Sequence, residues 1–198
     1  MTTGDIREDV SRETLEKYVD LLIRWNPKIN LIAPGTVDEI WTRHIEDSLR
    51  VVDALPVCGK RLLDLGSGGG LPGIPIAIMR PDLDVSLLEA DARKAAFLQT
   101  VRRELGMSYD VRRARIEAFP PHEADIITAR ALAPLVELLR LAVRHGKDDT
   151  VYIFPKGLRW QSEVEEAKLR WTFNVTPKTT ERAGAGPVLV LENVKDRP

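Results

Sequence analysis

Residues 64–75 read DLGSGGGLPGIP, immediately after the apolar pair Leu62-Leu63. An apolar run that meets five glycines within residues 66–73 and then enters a helical pattern is the strand–turn–helix unit of an open α/β sheet. In such sheets ligands bind outside the carboxyl ends of the strands, and the first strand-to-helix turn carries the glycines. Gly68-Gly69-Gly70-Leu71-Pro72-Gly73 satisfies G-x-G-x-x-G, the dinucleotide fingerprint. Taken alone, that match is weak.

Three features point to another cofactor. The same glycines also parse as Asp64-x-Gly66-x-Gly68-x-Gly70, an acid followed by a glycine at every second position. This resembles motif I of the class I S-adenosylmethionine-dependent methyltransferases. Glycine there lets the backbone approach the methionine part of S-adenosyl-L-methionine, and the carboxylate can receive its ammonium group directly or through water. That cofactor has no pyrophosphate, so Pro72 and Pro75 can occupy the first helical turn without removing useful donors. Glu89 closes the second apolar run about 25 residues after Asp64. An acid at that point accepts ribose hydroxyls in both cofactor classes, so it supports adenosine without choosing between them.

Outward from the loop, the runs RLLDLG, DVSLLEA, YDVRRA, ADIITAR, TVYIFPKG, WTFNVTP and PVLVLENV alternate with helical patterns at Gly73 to Arg80, Asp91 to Leu105, Pro134 to Arg144 and Ser162 to Lys168. Alternation of this kind predicts βαβ units and a mainly parallel sheet. The loop KTTERAGAG between the last two runs is too short for a crossover helix, so those two strands should pair antiparallel. The expected fold is therefore α/β, a Rossmann-like, mostly parallel seven-stranded sheet whose last strand is antiparallel.

Before the sheet, Leu15, Tyr18, Val19, Leu22 and Ile23 recur at helical spacing, and NPKIN should break that helix. A second stretch, VDEIWTRHIEDSLRVVDAL, sets Ile40, Trp41, His44, Ile45, Ser48, Leu49 and Val52 roughly along one side and reads as one or two helices. Residues 1–58 thus form an N-terminal helical cap, and residues 59–198 the main domain.

Composition narrows the class. The 198 residues are 43% hydrophobic and 30% charged, as expected of a soluble globular chain. Apolar stretches fall well short of a membrane span, no basic-plus-apolar leader appears, and a single cysteine, Cys58, cannot form an internal disulfide. A cytoplasmic setting is expected, with no metal site. The net charge of −1 argues against indiscriminate nucleic-acid binding. Arg93, Arg102, Arg103, Arg112, Arg113 and Arg115 nevertheless crowd the middle of the chain, either as a phosphate-facing patch or as a solvated face.

The segment after the fourth strand bears on the methyl acceptor. ITARALAPL contains no Asn/Asp-Pro-Pro-aromatic segment for an exocyclic amine, and no cysteine is placed to attack a pyrimidine. An acceptor with a free in-plane lone pair, such as guanine N7, needs positioning rather than a general base, and none is assigned.

RWNPKINLIAP, RHIEDSL, LLDLGSGGGLPGIPIAIMRPD, RIEAF, ITARALAPL and FPKG stand in the order and spacing of the RsmG family, also called glucose-inhibited division protein B. The resemblance runs from about Leu15 to Val194. It implies a class I methyltransferase that transfers a methyl group from S-adenosylmethionine to N7 of a 16S ribosomal RNA guanine, position 527 in the decoding-region loop. Residue by residue it implies cofactor contacts at Gly66, Leu71, Ile116, Glu117 and Arg130, beside the Asp64, Gly68 and Glu89 already singled out. RHIEDSL (Arg43, His44, Asp47, Ser48), Asn26 and Asn30 of WNPKIN, and Lys156 are expected on the substrate side, with Lys156 available to RNA phosphate. The partner is then 16S rRNA or a small-subunit assembly intermediate, met by a monomer. The alternatives are methylation of another nucleobase or of a small molecule, and a non-catalytic nucleotide-sensing module.

Overall fold

The computed structural model describes residues 3–179, 182 and 186–197, with side chains from Val10 onward. The first helix, α1, spans Thr3–Ile29, and after an irregular segment a π-helical turn at Trp41–Ile45 leads into α2 (Glu46–Ala54). Then come β1 (Arg61–Leu65), α3 (Gly73–Met79), β2 (Asp84–Glu89), α4 (Ala92–Glu104), β3 (Asp110–Arg113), β4 (Ala124–Thr128), α5 (Leu135–Ala142), β5 (Gly146–Pro155), α6 (Trp160–Lys168), β6 (Trp171–Lys178) and β7 (Val188–Asp196). All seven apolar runs are strands, and the four helices expected between them form within two residues of their predicted bounds.

The strands form one sheet in the order β3-β2-β1-β4-β5-β7-β6. β1 lies parallel between β2 and β4, with Leu63 opposite Ser86 on one side and Ile127 on the other. β7 runs antiparallel to β6, as their short connection requires, and antiparallel to β5 as well; that connection, 179–187, lies partly outside the described residues. The strand order reverses between β1 and β4, which is where a doubly wound sheet opens a crevice at its carboxyl edge.

Leu62, Leu63 and Leu65 have no solvent exposure, because helices cover both faces of β1. On one face Leu62, Ile126 and Ile153 share a continuous core with Tyr18 and Leu22 of α1, Val51 of α2, Ile74 of α3 and Phe97 of α4. On the other, Leu63, Ile127 and Phe154 pack with Leu139 of α5, Val164 of α6 and Trp171 of β6. The helices before residue 59 are thus built into the same core as the sheet.

Two local expectations need correction. The first helix does not stop at the proline: it continues through Pro27 to Ile29 and ends at Asn30, whose φ of +50° is left-handed. Pro27 stands one turn from the end, so the hydrogen bond it removes is among the last the helix would make. In the second stretch the π turn inserts an extra residue, which rotates the face, so Trp41 is left 37% exposed while Ile40 and Ile45 stay buried. Ile23, at the rim of the α1 face, is 40% exposed.

One polar bond locks the cap onto the glycine turn. The buried Tyr18 hydroxyl donates to Gly69 O at 2.6 Å. Replacing Tyr18 with Phe leaves that carbonyl without its partner, and a buried unpaired acceptor costs roughly 1–3 kcal/mol. The Tyr18→Phe protein should lose that much stability in urea denaturation, and an unchanged midpoint would show the bond to be dispensable.

Candidate active site

The turn from β1 to α3 bends back on itself, and its glycines are there for conformation and clearance. Gly66 and Gly68 have φ of +64° and +57°, in the left-handed region that costs residues with a Cβ. A Cβ on Gly66 would lie 2.8 Å from Leu132 Cδ1. Glu89, at the carboxyl end of β2, ties the turn down: its Oε2 accepts the Gly68 N–H at 2.8 Å and its Oε1 the Asp91 N–H at 2.7 Å.

Asp64 sits beneath the turn with no solvent exposure. Thr128 Oγ1 donates to its Oδ1 at 2.8 Å, and the Gly73 backbone, where helix α3 begins, lies against the same carboxylate. Burial pushes the Asp64 carboxyl up to about 6, against the lowering effects of Ser67, Thr128 and the Arg130 charge.

Beside the turn lies an open cleft of about 970 Å³. Arg43 and Asp47 from the cap line one wall, residues 129–134 after β4 the floor, and Lys156, Arg159, Glu163 and Glu166 the other wall. Arg130 crosses from floor to cap. Its Nη1 donates to His44 Nδ1 at 3.0 Å and lies 3.6 Å from Asp47 Oδ2. Asp47 Oδ1 in turn accepts from Arg50 Nη1 at 3.0 Å.

The partners of His44 fix its tautomer. Nδ1 must accept, because guanidinium only donates. Nε2 therefore carries the proton and donates to Thr36 Oγ1 at 2.7 Å, and Thr36 donates its own hydroxyl proton to Ala33 O. Burial first, then the charges of Arg130 and Arg43, hold the imidazole down to about 4.

The sequence-predicted residues divide. Asp64, Gly66, Gly68 and Glu89 meet around the β1 turn, and Arg43, Asp47, Arg130 and Lys156 line the cleft. Leu71 is 4% exposed and its side chain packs into the core, so only its backbone faces the turn. Ile116 and Glu117 follow β3, their carbonyls accepting from His145 Nε2 and Arg144 Nη1. Asn26 and Asn30 do not reach the cleft: Asn26 is buried, and its Oδ1 accepts the Leu31 and Ile32 N–H groups at 2.8 and 2.9 Å, closing the end of α1. Ser48 is likewise buried, with its hydroxyl donating to His44 O. Lys156, expected to be open to phosphate, is instead 9% exposed and ion-paired with Glu163.

Comparisons with known proteins agree with this geometry. A family model described as rRNA small subunit methyltransferase G matches residues 11–187. The chain belongs to that family. It is 44% identical to the ribosomal RNA small subunit methyltransferase G of Ruegeria sp. (strain TM1040), over 97% of each chain, and 46% identical to that of Paracoccus denitrificans (strain Pd 1222), over 92% of this chain and 95% of the relative. Among solved structures it resembles the ribosomal protein L11 methylase of Lactobacillus delbrueckii subsp. bulgaricus (TM-score 0.57, 18% identity, 75% and 76% of the two chains). It also resembles P. horikoshii TYW2 in complex with MeSAdo (TM-score 0.54, 16% identity, 86% and 65%). These likenesses show the class I methyltransferase fold.

Tyr18, Thr36, Thr128 and Glu163 hydrogen-bond to the residues of the candidate site, and their spacing in the sequence does not mark them. Each acts through a hydrogen bond to another element, which leaves no mark in local spacing. Tyr18 was legible only as an apolar helix position.

His44 gives a direct test of the network. NMR titration should find it neutral until about pH 4, whereas the unfolded chain titrates near the ordinary 6.5. With the folded value depressed, the unfolded chain takes up the proton first, so His44 subtracts stability as pH falls from 6.5 to 4. Arg130→Met should raise its midpoint, though not fully to 6.5, because burial is the larger cause. An unmoved midpoint would break the assigned contact.

Proposed function

We propose that the protein transfers the methyl group of S-adenosylmethionine to N7 of a guanine in 16S ribosomal RNA, the base at position 527 being the family's target. The observation that carries this reading is the carboxyl edge itself: a left-handed glycine turn tied to Glu89, with Leu132 of the cleft floor packed close to Gly66 and the cleft bridged by Arg130.

The residues present fit the cofactor. A Cβ built on Gly68 would meet nothing nearer than Gly66 O at 3.8 Å, so the backbone there is open to close approach. The Glu89 carboxylate has spare lone pairs for ribose hydroxyls beyond its two backbone donors. Ile116 and Glu117 would frame the adenine, with their carbonyls already fixed by His145 and Arg144. Asp64, wholly buried, would act from below the turn, its carboxylate charge favouring an ammonium group held above it. Bound there, the cofactor supplies an electrophilic methyl for in-line displacement.

The chain's own work is positioning. N7 of guanine carries a lone pair in the ring plane, so no proton has to leave before attack and no general base is required. The cleft walls hold the base, while Arg130 keeps a fixed positive charge beside it, restrained by His44 and Asp47. His44, held neutral with Nδ1 occupied by Arg130, serves as an anchor for that guanidinium.

Arg113 ends β3 directly across from Glu89, so it stands on the same edge as the cofactor residues. Arg113, Arg115 and Arg159 are exposed and form no ion pair among the described residues, whereas Arg102 and Arg112 are both directed at Asp110. Part of the arginine run is thus neutralised within the fold; Arg103 is exposed as well but stands at the end of α4, which leads into the start of β3, so Arg113 and Arg115 of the run, with Arg159 on the cleft, are left for RNA phosphate. We take the substrate to be the folded 16S rRNA or an assembling small subunit, met by a cytoplasmic monomer with residues 1–58 as its cap. Among the described residues no helix is long and apolar enough to cross a membrane.

The test is methyl transfer to 16S rRNA or small subunits from a strain lacking the modification, with the product mapped to a base. The native protein should label one guanine at N7, and Glu89→Ala should lose cofactor affinity in calorimetry with S-adenosylhomocysteine. Absence of label with a cofactor-binding protein would refute the reading. Removing Arg113, Arg115 or Arg159 should weaken RNA binding and reduce the salt slope by about one phosphate contact each. An unchanged slope would place the RNA on another face.

A further inference from the structure

Lys156 and Glu163 form a clamp on the segment between β4 and α5. Glu163 Oε2 accepts from Lys156 Nζ at 2.8 Å and from the Leu135 N–H at 2.9 Å, and the same Lys156 Nζ donates to Ala133 O at 3.2 Å. Pro134, at the start of α5, supplies no side-chain cap, so the Glu163 carboxylate caps that helix from α6. Three elements therefore converge on one ion pair: α6 through Glu163, the end of β5 through Lys156, and the β4–α5 segment through Ala133 and Leu135.

That segment is short and strained. Ala131 has φ of +52°, a left-handed conformation that costs an alanine free energy unless its surroundings impose it. At its near end Arg130 is held by His44 and Asp47, and in its middle Leu132 Cδ1 fills the space that a Cβ on Gly66 would need. At its far end Pro134 O accepts the Leu138 N–H at 2.9 Å as the first bond of α5, and the clamp supplies the side-chain hydrogen bonds.

We infer that Glu163, acting through Lys156 and the Leu135 amide, is a positioning residue that holds residues 130–134 in register between the glycine turn and the cleft. This rests on the methyltransferase reading above. The role of Lys156 is then to fix the segment, and RNA phosphate falls to the exposed arginines. Glu163→Gln keeps an acceptor for Leu135 but loses the charge that holds Lys156, whereas Lys156→Met removes the other half.

The decisive comparison measures kcat and KM for RNA separately, together with amide hydrogen exchange over residues 130–135, in Glu163→Gln, Lys156→Met and the double variant. Misplacement by about an ångström costs on the order of 100-fold in rate, so each single variant should lose about 10- to 100-fold in kcat with KM nearly unchanged. The double variant should be little worse than either single one, and exchange should rise in 130–135 in all three. If Lys156 is instead a phosphate ligand, Lys156→Met raises KM while Glu163→Gln frees the lysine and tightens RNA binding, which overturns the proposal. Unchanged exchange overturns it as well. Because exchange is read without substrate, a native protein that methylates no RNA refutes the proposed function and still leaves the clamp open to test; a native protein that methylates normally, with variants unchanged in kcat, refutes the clamp alone.

Discussion

Between Leu65 and Gly73 the backbone leaves the central strand, stays open at Gly68, and enters α3 close above the buried Asp64 carboxylate. A Cβ on Gly73 would lie 2.3 Å from Leu87 Cδ2 and 2.9 Å from Asp64 Oδ2, so helix and strand approach as closely as backbone allows. The turn is held on three sides, by Glu89 from β2, by Tyr18 from the cap and by its own bond from Ser67 Oγ to Asp64 O. Since β1 sits between β2 and β4, fixing this one turn also fixes where the cofactor edge, the cleft and the cap stand relative to one another.

Arg130 links the two halves of that arrangement. A guanidinium that is only 17% exposed needs partners, because removing it from water is costly. It finds them in a cap whose π turn aims His44 and Asp47 back toward the sheet. Placing a neutral imidazole beside a fixed cation is inexpensive, and depressing its proton affinity keeps it neutral across the physiological range. Asp64 moves the opposite way, its carboxyl raised by burial. Between pH 6 and 4 the two groups contribute to stability with opposite sign: acid favours the fold through Asp64 and disfavours it through His44.

Much of this was legible in the residues. The central runs of β1, β2 and β4 are short and bounded, and a strand buried on both faces must be apolar almost throughout, while the more exposed β3 and β6 and the final antiparallel pair followed from alternation and connection length. The glycine turn was legible because backbone that bends left-handed under close contact admits few other residues. Asn26 lies away from the cleft, and Lys156, though it lines it, is ion-paired within the fold. A polar side chain in a loop reads the same whether it faces a ligand or closes its own backbone, and only the tertiary structure shows that Asn26 caps Leu31 and Ile32 and that Lys156 meets Glu163. The helix through Pro27 and the rotation at the π turn were hidden similarly, since both hinge on a single residue's hydrogen bond rather than on a repeating period.

The sequence by itself determined the sheet, the glycine turn and the acids at the ends of β1 and β2, because these rest on local periodicity, on clearance for a missing Cβ and on the few residue types that satisfy each. The tertiary structure decided which polar groups are spent on the fold and which stay open to ligands. Tyr18 to Gly69, His44 to Arg130 and Lys156 to Glu163 join residues 51, 86 and 7 positions apart. Such pairs form only once packing has brought the elements together, and no spacing along the chain encodes them.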